Sequence, residues 1–137
     1  MYQSMNSLTA ALAEVVRGLD TFDSVLVSQA TDGAQLYDQL ETMASVPCAI
    51  IAVGNVAYEE HGEARTIRPM IFIVDQYRNG MDAAAAGIWE LAEAVLALFA
   101  PSQSIAGIEW VPDTWTPVDS PNGVSAAVIT LEGVEFL

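Results

Sequence analysis

Four residues capable of metal or acid–base chemistry lie almost side by side: Glu59, Glu60, His61 and Glu63. An imidazole among carboxylates is the donor set of a divalent-metal centre, but such ligands must converge on one point. Neighbouring residues of an extended chain point to opposite sides, so this run reads as the solvated tip of a hairpin. Asp75, Asn79 and Asp82 form a second oxygen-rich group at a strand-to-helix turn. Their spacing is not that of a calcium loop, and helix capping with turn formation accounts for the residue types. Cys48 stands alone between Pro47 and Ala49, beside Ile50 and Ile51. A nucleophilic cysteine needs an electropositive, partly exposed setting, so core packing is expected. The single histidine has no Gly-x-Ser-x-Gly elbow with it, and Gly54-Asn55 is too little for a phosphate loop. These residue types predict no catalytic site, no metal and no cofactor.

Composition narrows the partners. The chain has 137 residues, 53% hydrophobic and only 16% charged, which predicts one folded domain over 1–137. Eighteen acids face four arginines (Arg17, Arg65, Arg68, Arg78) and no lysine, for a formal charge of −14. That balance disfavours direct binding of nucleic-acid phosphates and of anionic membrane surfaces. Absence of lysine removes Schiff-base and P-loop lysine chemistry. The apolar runs Cys48 to Val53 and Met70 to Val74 are too short to span a bilayer. No basic segment followed by an apolar core opens the chain, and a cytoplasmic or assembly-bound protein is expected.

The elements follow from periodicity. Leu8, Leu12, Val15, Val16 and Leu19 recur at helical spacing, predicting a helix over Ser7 to Leu19 capped by Asn6 or Ser7. Ser24 to Gln29 reads as a short strand, and Asp32 to about Ala44 as a second helix. Cys48 to Val53 is continuously apolar, as in a strand covered on both faces. It continues through Tyr58 and returns over Thr66 to Gln76 as a long hairpin arm. Pro69 in that arm lacks a ladder donor and predicts an edge or a bulge. A helix from Asn79 or Asp82 buries Ile88, Leu91, Ala92, Val95, Leu98 and Phe99 and stops at Pro101. Two further strands, Ile108 to Val118 and Val124 to Phe136, are joined by the turn Asp119-Ser120-Pro121-Asn122-Gly123, with a bulge expected at Gly133. So many hairpins predict an α+β domain: a mainly antiparallel sheet of about four to five strands with two long helices packed on one face.

Trp110 and Trp115, with Pro112 and Pro117, lie on a late strand. Exposed aromatics of this kind mark protein contacts; half-buried ones merely cover a core.

The order of these segments carries a resemblance. Leu8-Thr9-Ala10-Ala11-Leu12 in a first helix precedes the core strand Pro47-Cys48-Ala49-Ile50-Ile51 and the long strand Ile67 to Val74. An alanine-rich helix ending Val95-Leu96-Ala97-Leu98 follows, then a closing strand Ala127 to Phe136. Over most of its length the chain resembles the tail terminator or tail completion proteins of long-tailed bacteriophages, including those of Mu-like prophages. The resemblance implies a non-enzymatic virion protein, made in the host cytoplasm, that forms a homo-oligomeric and commonly hexameric ring. Such rings cap the tail tube and join it to the head, so the implied partners are copies of the chain, the tube protein and a head-completion protein. The heavy negative charge then requires apolar or arginine-bridged interfaces, for which Arg65, Arg68 and Arg78 are the expected bridges and Trp110 and Trp115 the expected contact aromatics. The alternative from another class is a small acidic inhibitor that binds a basic nucleic-acid-binding protein by charge mimicry. Salt-sensitive binding would mark that alternative, and salt-tolerant self-assembly the ring.

Overall fold

A computed structural model describes residues 1–28, 47–76, 81–118 and 124–137. The expected second helix over Asp32 to Ala44, the cap at Asn79 and the turn Asp119 to Gly123 lie outside the described residues.

The first helix, α1, spans Met5–Arg17. Its N-cap is Ser4, whose hydroxyl accepts from the Ser7 amide, rather than Asn6 or Ser7. Leu8, Leu12, Ala13 and Val16 form its buried stripe. Strands β1 (Ser24–Ser28), β2 (Cys48–Tyr58) and β3 (Ala64–Gln76) follow. The second described helix, α2, spans Met81–Phe99 and buries Ile88, Leu91, Ala92, Val95 and Phe99, while Trp89, Glu90 and Glu93 face outward. Strands β4 (Gln103–Ile105), β5 (Ile108–Val118) and β6 (Val124–Phe136) complete the chain.

The expected sheet of four to five mainly antiparallel strands carrying two long helices is corrected on strand number, pairing and shape. Among the described residues the fold is mostly sheet: one curled, six-stranded mixed half-barrel in the order β1-β2-β3-β6-β5-β4, with two helices. Three physical causes lie behind the difference. β1 pairs with β2 in parallel, which the long intervening segment permits as a crossover and which a chain of hairpins does not suggest. β4 has only three residues and no readable alternation; the tight turn at Ala106 and Gly107, both at positive φ, folds it back onto β5. Bulges then bend the sheet by adding local twist.

The first bulge sits where β2 and β3 change register between Ala52 and Asn55, opposite Pro69. β3 is a central strand, so the missing proline donor is accommodated by a bulge and not by an edge. Gly54 makes the bulge possible. It has φ +69°, and a Cβ there would lie 2.2 Å from the Arg68 carbonyl oxygen. The second bulge is Asp113, the extra residue between the pairs Pro112–Leu131 and Thr114–Thr130.

Both helices share one buried cluster with Ala49, Ile51, Ile67, Ile71, Ile73, Ile129 and Leu131. A smaller cluster of Cys48, Ile50, Phe72, Val74 and Ala126 occupies the opposite sheet face, joined by the half-buried Leu26 and Val128. Alternating strand side chains thus enter two cores, which is why Cys48 to Ala52 reads as an unbroken apolar run.

Candidate interaction surface

Among the described residues the groups with catalytic potential are not brought together. His61, Glu59, Glu60 and Glu63 are exposed at the β2–β3 turn, where Gly62 donates to the Glu59 carbonyl and Glu59 donates to that of Ala64. Among the described residues no group of three or more His, Cys, Asp and Glu is placed to hold a metal ion. Cys48 is fully buried, and its thiol is pushed up to about 11 by burial and, secondarily, by the charge of Asp75. Asp75 is buried at the end of β3 beside Gly87 of α2.

The described arginines are turned into their own chain. Arg65, opposite Glu135 in the β3–β6 register, is 6% exposed. Its Nη2 lies 2.6 Å from Glu135 Oε1, and Nε donates to the same oxygen at 2.7 Å. Nη2 also donates to the Gln3 carbonyl at 2.7 Å, and the guanidinium carbon sits 4.4 Å from the centre of the Tyr2 ring. Burial works against the charge of Arg65, but hydrogen bonds to Tyr58 and Glu135 more than offset it and hold the guanidinium above its ordinary range. The N-terminal residues close this knot: the Gln3 amide donates to Glu135 Oε2, and the Tyr2 hydroxyl donates to the Gly62 carbonyl. The long hairpin arm is therefore stitched to β6 and to the start of the chain. Arg68 pairs with Glu132 at 3.1 Å on the sheet surface, and Arg17 pairs with Glu14 on α1. Arg78 lies outside the described residues.

The two expected contact tryptophans part company. Trp110 is 1% exposed, its indole lying over Gly133 and its Nε1 donating to the Ile105 carbonyl at 3.2 Å. A Cβ on Gly133 would lie 2.5 Å from the Trp110 ring, so this glycine clears space for the indole and is regularly paired rather than bulged. Trp115 is exposed on β5. Beyond Trp110, β5 is paired with β6 and with no other strand among the described residues. Pro112, Pro117 and the Asp113 bulge interrupt that edge, as sheet edges commonly require.

What the sequence reading missed is the outward face at the C-terminal end of β6. Arg65, Glu135, Gly133 and Leu131 face the helices, so Val134 and Phe136 point the other way, and Phe136 is 75% exposed. Shallow grooves flank this ridge. One of about 340 Å³ runs past Ala57, Ala64 and Thr66; one of about 350 Å³ runs past Glu109, Val111 and Glu132. The signal was present in the sequence: Val134 and Phe136 share parity with Glu132, not with buried Leu131. No known family model matches the chain, and no curated protein matches its sequence.

Proposed function

We propose that this chain is a non-enzymatic structural protein of a bacteriophage or prophage tail, of the terminator or completion kind. In this reading copies assemble into a ring, commonly of six, that caps the tail tube and joins it to the head. The supporting observation is where the positive charge goes. Arg17, Arg65 and Arg68 each pair with a carboxylate of their own chain, so the remaining surface is acidic. An acidic channel wall repels passing DNA instead of holding it. Contacts between such subunits must then be apolar or made by backbone groups.

A closed ring is built head to tail, from two different patches on each subunit. The opposite edges of the sheet are such a pair among the described residues: β1, with exposed Val27, and β5 beyond Trp110, with exposed Trp115. Negative-stain electron microscopy of the purified chain tests this reading. Rings of a fixed subunit number around a central channel are expected. A uniform field of single small particles at high protein concentration would count against it and in favour of the acidic inhibitor.

A further inference from the structure

From the chemistry of the Val134–Phe136 face, we infer that it binds an extended segment of a different protein, one whose apolar side chains are flanked by lysine or arginine. The site is a ridge with two grooves. Phe136 and Val134 stand out from β6, and Val111 borders the far groove from β5. Exposed apolar side chains gathered on one sheet face are the mark of a contact surface.

Charge decides the occupant. Glu109 and Glu132 line one groove; Glu59 lines the other beside Arg65, whose charge is met by Glu135. Arg68 neutralises Glu132, whereas Glu109 accepts from the Ser102 hydroxyl at 2.7 Å. Glu109 and Glu59 take part in none of the ion pairs found among the described residues. A second copy of this chain is a poor match for that rim. It brings no lysine, and its described arginines are already paired internally. Like charges set against each other across an interface suppress a partner, while opposite charges select it. An anionic membrane meets the same repulsion. A basic segment with apolar anchors satisfies both features. This inference is independent of the ring: a ring without peptide binding, or peptide binding without a ring, separates the two.

The test titrates the isotope-labelled full chain with a synthetic peptide of alternating valine or phenylalanine and arginine, followed by amide chemical shifts. A second peptide carries glutamate in place of arginine. The expected result is a response centred on Val111, Val134 and Phe136 with the arginine peptide and none with the glutamate peptide. Phe136→Asp should weaken binding at least about tenfold, as loss of a central anchor does. Glu109→Lys should weaken it about threefold, and more at low salt than at high salt. Both positions are exposed, and unchanged amide dispersion confirms that each variant folds; should Phe136→Asp unfold, Glu109→Lys carries the test. No response at millimolar peptide, an equal response to both peptides, or a response centred elsewhere overturns the inference. So do shifts of the same amides with protein concentration alone, which would mean self-association, and preferential binding to phosphatidylserine vesicles.

Discussion

Arg65 and Glu135 meet 2.6 Å apart across β3 and β6, with side chains only 6% and 7% exposed. Seventy positions separate them in sequence. Around the pair converge the hairpin arm, the closing strand and the first residues of the chain, through Tyr58, Glu135, Tyr2 and Gln3. A pair this buried is costly to break from one side, because the partner left behind remains charged and out of water.

Glu135→Ala is accordingly expected to destabilise the fold by about 3–5 kcal/mol in urea denaturation. Replacing both partners by Met and Leu should recover most of that loss, since no charge is then stranded. A loss below about 1 kcal/mol for the single change would mean that the pair is solvated and surface-like.

Gly133 and Trp110 supply a test of packing. Gly133→Ala places a methyl carbon 2.5 Å from the indole, so either the ring or the strand must move. The expected cost is about 1–3 kcal/mol. In a Trp110→Phe background the smaller ring leaves room, and the cost of the alanine should fall. Equal costs in both backgrounds, measured as a double-mutant cycle, would show that the indole is not what the glycine accommodates.

Cys48 makes stability depend on alkaline pH. An unfolded thiol ionises near 9, whereas the buried one does so at about 11. The folded state therefore holds its proton across that window while the unfolded state releases it. Stability from this group is complete below pH 9 and declines as pH rises towards 11, by about 2–3 kcal/mol in all. The measurement is the difference between the wild type and Cys48→Ala at pH 8 and pH 11, which isolates the thiol's contribution. A difference that does not change with pH would contradict burial of the thiol.

The hairpin tip is expected to be indifferent to metal. His61→Ala should change stability by less than about 0.5 kcal/mol, as at ordinary surface sites. Neither chelator nor added zinc should move the melting temperature of the wild type. A zinc-dependent rise that vanishes in His61→Ala would restore the metal reading.

Much of the scaffold was legible because it rests on local signals. The apolar run at Cys48 to Ala52 announced a strand between two cores, and the stripe from Ile88 to Phe99 announced α2. Pro69 correctly announced irregular pairing, although only three-dimensional context made it a bulge in a central strand. The sheet's size and mixed pairing were not legible. β4 is three residues long, and nothing local in Ser24 to Ser28 declares that its neighbour runs parallel. The interaction surface was legible in part. Trp110 looked like a contact residue because a sequence does not show that Gly133, on the neighbouring strand, opens a slot for the indole. Arg65 looked like a bridge between subunits because its carboxylate partner lies far along the chain. Phe136 reads in the sequence only as the end of a closing strand, and its parity with Glu132 is what places it on the outer face.

A chain that carries −14 charges and pairs its described arginines internally should, if it forms the proposed ring, assemble in a salt-tolerant way. Absolute mass by light scattering, over a range of protein concentration at low and high salt, tests it most directly. One closed oligomer, six subunits in the phage reading, is expected to persist or grow more populated as salt screens repulsion between acidic subunits. A monomer at every concentration and salt, or an oligomer that high salt dissolves, would contradict it.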